Sequence, residues 1–207
     1  MNETVQTKCI AFIGDKRVAR GDLEQVVAKI LEVVEPGDLA GVLVFDCADS
    51  RVVELDLRGS REEVLGRLAT KGKTAAGQLA KKKRGRPKLG VVAREVTLLP
   101  RHWEWLSSQP GGASVALRKL VERARRENSH RDEARRAQES CYRFISAMAG
   151  NLSHFEEAAR ALFAGEGEIF AREIAFWPED IRAHSAVLAQ AAFVNARAVG
   201  ATGRKSR

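Results

Sequence analysis

The alternation of apolar and polar residues over the first third of the chain predicts a small sheet with helices. Residues 8–13 form a short apolar run, a Gly-Asp-Lys turn follows, and a second strand is predicted from Arg17. Apolar residues then recur at helical spacing from Leu23 to Val34, directly after Asp22, which is a preferred N-cap residue. The pattern therefore predicts a hairpin followed by a helix.

The same order of two strands and a helix is predicted a second time. Residues 41–46 form a second apolar run, and residues 51–57 alternate Val53, Leu55 and Leu57 with acidic side chains. Ser60 and Glu63 then have the spacing of a capping box at a helix start. The order β-β-α-β-β-α favours an α+β fold with a small antiparallel sheet packed against helices.

Periodicity stops at residue 69 and returns after residue 90. The middle stretch is rich in Ala, Gly, Lys and Thr, which predicts a flexible basic linker. Residues 91–99 can form a strand, Pro100 suits the first turn of a helix, and Ser114 can cap the helix that follows. Trp103 is predicted to pack in a core, since it lies one turn after Leu99.

Five segments follow from these patterns, and the fourth is helical. They are an α+β domain (1–68), a basic linker (69–90), a strand-helix-helix segment (91–127), a helical region (128–198) and a disordered basic tail (199–207).

The composition narrows the class of protein. No apolar run approaches the ~20 residues that span a bilayer, and the N-terminus lacks the pattern of a signal peptide. The cysteines are odd in number and far apart, at Cys9, Cys47 and Cys141. We therefore expect a cytoplasmic protein with reduced thiols, no membrane contact, no metal and no cofactor.

No catalytic sequence motif appears, so we expect a protein that is not an enzyme. Asp46 and Asp49 flank Cys47 after a strand, where active-site carboxylates can lie. Asp is also common in turns, and we predict turn formation for both. The four histidines are expected on surfaces or in packing.

Positive charge is concentrated in one stretch. Residues 64–94 hold ten basic and no acidic side chains, a net charge of +10, whereas the whole chain has a net charge of +8. Concentrated positive charge attracts polyanions and speeds their encounter. A nucleic acid is therefore the expected partner.

The sequence KKKRGRPK at residues 81–88 is the most basic part of this stretch. Its Arg-Gly-Arg-Pro core is similar to an AT-hook, a peptide that lies in the minor groove of A·T-rich DNA. Gly85 would let the backbone approach the groove floor while Arg84 and Arg86 run along it. The remaining lysines would contact phosphates, namely Lys81, Lys82, Lys83 and Lys88. The alternative is a solvated linker.

The strand-helix-helix order of residues 91–126 resembles a ribbon-helix-helix module, with Leu99-Pro100 and the Gly112-x-Ser114 turn as the matching features. The resemblance implies a homodimer whose paired strands enter the DNA major groove. It also implies phosphate contacts at the start of the second helix, by Gly112, Ala113 and Ser114. Arg94 would hold a further phosphate.

The strand itself departs from a base-reading pattern. Neither of its faces carries a set of hydrogen-bonding side chains, since one would show Arg94, Val96 and Leu98 and the other Glu95. The strand could therefore serve dimerisation alone.

Over most of its length the chain also resembles a bacterial domain-of-unknown-function family, family 2239. The matching stretches include LDLRG at 55–59, GRPKLGVVAREVTLLPRHWEWL at 85–106 and GGASVALRKLV at 111–121. This resemblance implies a bacterial cytoplasmic protein and no particular activity.

The expected function is a dimeric DNA-binding protein, acting as a transcription regulator or a nucleoid-associated factor on double-stranded, A·T-rich DNA. One alternative is a dimeric interaction scaffold, in which the basic segment is only a tether. Another is an RNA-binding accessory factor that uses the same charge.

Overall fold

The computed structural model describes residues 7–35, 37–68, 92 and 94–203, with side chains through residue 195. It confirms the predicted α+β class. The elements are β1 (Lys8–Ile13), β2 (Lys16–Asp22), α1 (Leu23–Val33), a 3-10 turn (Leu39–Gly41), β3 (Val42–Asp46), α2 (61–68), α3 (Pro100–Ser108), α4 (Gly112–Ala149), α5 (Phe155–Ala164), α6 (Gly167–Glu173) and α7 (Glu179–Gly203).

The sheet has three strands in the order β2-β1-β3, and both pairs are antiparallel as predicted. The predicted fourth strand at 51–57 is wrong. Val52 forms a single bridge with Phe45, and the Val53 N–H donates to the Val44 carbonyl at 2.7 Å. Beyond that point the Arg67 guanidinium of α2 binds the carbonyl oxygens of Asp56 and Arg58. A side chain of α2, rather than β3, therefore holds this part of the segment.

The helix starts near the sheet agree with the predicted caps. The Asp22 N–H donates to the Gln25 side chain at 3.4 Å, which belongs to a capping box at the start of α1. At α2, the Ser60 N–H donates to Glu63 at 2.8 Å and the Glu63 N–H donates to the Ser60 hydroxyl at 3.3 Å. These bonds satisfy N–H groups that have no partner within a helix.

Each face of the sheet covers its own apolar core, because successive residues of β1 point to opposite sides. Cys9 and Ala11 pack towards α1, where Val26 and Ile30 are buried. The other face is covered by the C-terminal helices and their buried side chains. This second core contains Ile10, Phe12, Phe45, Cys141, Phe144, Ile145, Leu162, Phe170, Ile174, Trp177 and Ile181.

The chain divides into two compact units. One comprises Met1–Thr74 together with His130–Arg207 and is called the sheet unit below; the other is Ala75–Ser129 and is called the middle unit. The sheet and the C-terminal helices thus belong to the same unit, and the division falls inside α4. The five-segment division remains a prediction.

Some helix boundaries differ from those predicted. The helical region predicted from residue 128 does not begin with a new helix, because Ser129 lies inside α4, where its hydroxyl donates to the Arg126 carbonyl at 3.1 Å. The N-cap of α5 is His154, whose φ is 66°. α7 extends to Gly203, past the predicted start of the tail, and residues 204–207 lie outside the described chain.

Two hydrogen bonds join distant parts of the sheet unit. The Arg17 N–H of β2 donates to the Asp180 carboxylate at the start of α7 over 2.9 Å. The hydroxyl groups of Ser50, in the turn after β3, and Ser140, in α4, lie 2.8 Å apart, and both residues are buried. The sheet is therefore tied to elements far away in the sequence.

Candidate nucleic-acid interface

The helix α3 begins where the sequence predicts. Leu99 is the N-cap of α3 with extended backbone angles, and Pro100 occupies the first helical positions, where a missing N–H costs nothing. Leu106 is the buried residue of this short helix, with 3% of its surface exposed. α3 ends at Ser108, before the Gln109–Gly111 turn.

Two glycines set the turn between α3 and α4. Gly111 and Gly112 have φ angles of 86° and 72°, a region that other residues rarely adopt. A β-carbon at Gly111 would also come within 3.2 Å of the Val115 side chain. The turn therefore requires glycine at 111 for both conformation and space.

The start of α4 supplies the predicted phosphate-binding groups only in part. The Gly112 N–H already donates to the Gln109 carbonyl at 2.9 Å. The N–H groups of Ala113 and Ser114 have no acceptor within the described residues, and the first turn has no acidic side chain. Ser114 is not the helix cap that the sequence predicted, because α4 already begins at Gly112. Two free amides at a helix start favour an anion.

The first half of α4 also carries a basic surface, which was not included among the predicted site residues. Its exposed cations are Arg118, Lys119, Arg123, Arg125 and Arg126. Only Glu122 and Glu127 oppose them between Gly112 and Ser129. Arg118 lies one turn after Ser114 and donates to its carbonyl at 3.1 Å, so one guanidinium is held near the free amides. The spacing of basic residues along a single helix was the available sequence signal.

An apolar surface of the middle unit faces solvent. Val96, Leu99, Trp103, Leu120 and Val121 are 53%, 50%, 39%, 40% and 63% exposed, and they are called the exposed apolar face below. The prediction that Trp103 packs in a core is therefore wrong. Trp105 is also exposed. Residues 92 and 94–99 have no regular secondary structure, since a strand needs a partner strand and the described chain offers none here.

The predicted DNA-contacting residues are placed as follows. Lys81, Lys82, Lys83, Arg84, Gly85, Arg86 and Lys88 lie outside the described residues. Arg94 is exposed in the segment before α3, and Gly112, Ala113 and Ser114 lie together in the first turn of α4. The structure therefore brings together the three helix-start residues of the predicted site.

The acidic residues beside Cys47 form turns, as predicted. The Asp46 carboxylate accepts the Ala48 N–H at 2.7 Å, and the Asp49 carboxylate accepts the Arg51 N–H at 3.0 Å. Burial raises the pKa of the Cys9 thiol to about 11 and that of Cys141 to about 12, which disfavours the reactive thiolate. Burial also raises the pKa of Cys47.

His184 is the buried titratable group of α7, with 6% of its surface exposed. Its ring packs against Phe144 at a centroid distance of 4.6 Å and against Phe12 at 6.0 Å. Burial, and then the charges of Arg20 and Arg17, lower the pKa of His184 to about 4. The imidazole is therefore neutral near pH 7.

The described residues offer neither a metal site nor a membrane span. They contain no group of three or more His, Cys, Asp or Glu side chains placed to hold a metal ion. None of their helices combines the length and the apolar character that a bilayer span requires.

Comparison with known proteins relates the chain to a single family description. No curated protein and no solved structure matches the chain. A family model described as "Uncharacterized protein conserved in bacteria (DUF2239)" matches residues 8–189, which is most of the sequence. The family resemblance drawn from the sequence is thereby confirmed, and the chain belongs to the bacterial family DUF2239.

Proposed function

We propose that this chain is a cytoplasmic DNA-binding protein without enzymatic activity, acting as a dimeric transcription regulator or nucleoid-associated factor. The observation that carries the proposal is the segregation of charge. Residues 64–94 hold ten basic side chains and no acidic one. Phosphate attraction of this kind supplies most of the affinity of proteins that bind DNA without sequence selection.

The start of α4 supports the same partner. The backbone amides of Ala113 and Ser114 have no acceptor among the described residues, and the Arg118 guanidinium binds the carbonyl of Ser114. Amides and a guanidinium are the groups that hold a phosphate oxygen in DNA complexes. In the proposed complex this helix start binds one backbone phosphate, and Arg84 and Arg86 enter the minor groove.

The exposed apolar face supports a homodimer. Leu99 and Trp103 lie one turn apart at the start of α3, and Leu120 and Val121 lie on α4, so the apolar surface involves both helices. Large apolar side chains exposed on consecutive elements favour a surface that a partner covers. In the proposal a second copy covers them, and the segment before α3 pairs with its counterpart as a strand.

The second candidate function, a dimeric interaction scaffold, draws on the same exposed apolar face. It requires the face to dimerise while the basic stretch makes no nucleic-acid contact. An RNA-binding accessory factor differs only in the nucleic acid. All three are separable by binding measurements on the purified chain.

The test is a fluorescence-anisotropy titration of the full chain with A·T-rich and G·C-rich duplexes at several salt concentrations. We expect salt-dependent binding that is tighter for the A·T-rich duplex. The double substitution Arg84→Ala/Arg86→Ala should remove that preference. A single-stranded RNA of equal length serves as a third ligand and should bind more weakly than either duplex.

The matched control is Arg160→Ala/Arg172→Ala. It removes the same charge from exposed positions of the sheet unit, where each arginine pairs with a glutamate at 2.8 Å or 3.0 Å. This control should keep the A·T preference. Absence of duplex binding at low salt would overturn the proposal in favour of the scaffold, and preferential RNA binding would overturn it in favour of an RNA-binding factor.

A further inference from the structure

A groove of about 960 Å³ opens on the α1 side of the sheet unit. It lies between the end of α1, the 3-10 turn, β3 and residues 53–59. Its walls are mostly aliphatic, and the side chains that matter below are Ala40, Val42, Leu55 and Leu57. A volume of this size is at the upper end of the range for small-molecule sites, roughly 300–1,000 Å³.

The groove exists because a strand pairing ends early. The Val53 N–H bonds to Val44, but residues 54–57 form no ladder with β3. Leu55 and Leu57 still point towards the α1-side core, where they are only partly buried. Between them and Val42 the apolar surface therefore stays open.

The outer wall of the groove is held in place by polar bonds. It is the LDLRG stretch, residues 55–59, a motif for which the DNA-binding proposal has no role. The Arg67 guanidinium binds the carbonyl oxygens of Asp56, at 3.0 Å, and of Arg58. Gly59 closes the wall at a φ of 100°, where a β-carbon would meet the Glu63 carboxylate. The wall is thus held by contacts with residues of α2.

Among the residues that the structure describes, one cation at the rim has no acidic partner. Glu54 and Asp56 alternate with Leu55 and Leu57, are exposed, and also line the groove. The Arg58 guanidinium pairs with Asp56 at 2.9 Å. Arg61 also lines the groove, is exposed, and has no acidic partner among the residues the structure describes.

We propose that this groove binds an organic acid with an apolar body. The aliphatic part of the ligand contacts Val42, Leu55 and Leu57, and its carboxylate pairs with the Arg61 guanidinium. A carboxylate suits this position because arginine binds it through two parallel hydrogen bonds. The site belongs to the sheet unit and is independent of the proposed DNA contact.

The experiment uses the full chain and two probes of equal chain length, decanoate and 1-decanol, in isothermal titration calorimetry. We expect saturable, sub-millimolar binding of decanoate and at least tenfold weaker binding of decanol. Arg61→Gln should weaken decanoate at least tenfold and leave decanol unchanged. Ala40→Trp, which places a large side chain at an exposed position of the groove, should remove binding of both.

Arg51→Gln is the matched control. Arg51 is an exposed arginine close in sequence that does not line the groove, and it pairs with Asp49 at 3.3 Å. This variant should bind decanoate as the unchanged chain does. The proposal is overturned by absent decanoate binding, by equal binding of decanol, or by decanoate affinity that survives Arg61→Gln or Ala40→Trp.

Discussion

The two units of this protein differ in how far their apolar side chains are buried. In the sheet unit, Phe12, Phe45 and Phe144 are fully enclosed and contact one another at ring distances of 5.2 to 6.3 Å. In the middle unit, Trp103 and Val121 are 39% and 63% exposed. The described residues of the sheet unit enclose their aromatic rings within the chain, whereas those of the middle unit leave Trp103 and Val121 exposed.

This difference separates two sources of stability. The sheet unit should unfold with a free energy that is independent of protein concentration. The middle unit, if a second copy covers its exposed apolar face, should gain stability as concentration rises. Substitutions in the two units should therefore respond differently to dilution, and the following predictions use that contrast.

The largest effect is expected for Phe144→Ala in the sheet unit. The substitution removes ring contacts with Phe12, Phe45 and His184 and leaves a cavity, which typically costs about 3–5 kcal/mol. Urea unfolding followed by far-ultraviolet circular dichroism measures this loss at two protein concentrations. A loss below about 1 kcal/mol would show that the sheet unit is not built on this core.

A second effect concerns pH and is confined to the sheet unit. The pKa of His184 is about 4 in the fold and near 6.5 in the unfolded chain, so between these values only the unfolded chain binds the proton. The free energy of unfolding should fall by about 3 kcal/mol as the pH drops through this window. Urea unfolding from pH 7 to pH 4 tests it. His184→Leu should flatten the curve, and an unchanged slope would refute the assignment.

The third prediction concerns the middle unit. Val121→Glu places a charge on the exposed apolar face, and we expect it to raise the dimer dissociation constant at least tenfold, about 1.4 kcal/mol. Sedimentation velocity over a concentration series gives this constant. Val187→Glu is the control, because Val187 is similarly exposed at 54% but lies on α7 in the sheet unit. Equal effects of the two changes would contradict a dimer formed through the middle unit.

The smallest effect is expected for Ser140→Ala. It removes the buried hydrogen bond with the Ser50 hydroxyl and leaves that hydroxyl without a protein partner, at a cost of about 1 kcal/mol. The midpoint of thermal unfolding measures the loss. Ser108→Ala, at an exposed hydroxyl of α3 that bonds the Trp105 carbonyl, should change stability by less than half as much.

Local chemistry was enough to predict the parts of the fold that depend on neighbouring residues. The Asp22 and Ser60 caps, Pro100 at the start of α3 and the turn role of Asp46 are all of this kind. Each depends on residues within four positions of one another. The same holds for the α+β class, which follows from periodicity.

The predictions that the structure contradicts concern residues whose placement depends on distant or competing partners. Residues 51–57 have the alternation of a strand, but Arg67 binds carbonyls of that segment, which no alternation pattern reveals. Trp103 has core spacing, yet spacing does not say whether the core is completed within the chain. For the candidate site, the sequence located the helix start but did not show that the Gly112 amide is already bonded to Gln109.

The strands of the sheet are translated long before the last helix that covers them, and this order should affect folding during synthesis. Phe12 and Phe45, near the start of the chain, are enclosed by side chains as far along as Ala192. At a synthesis rate of about 5–20 residues per second, α7 is translated roughly 7–30 s after β3. During that interval the core on this face of the sheet lacks the side chains of α7 that complete it, although α4, α5 and α6 are translated earlier. A ribosome-stalled chain that ends before α7 should therefore be cleaved readily by protease in β1 and should need a chaperone to stay soluble.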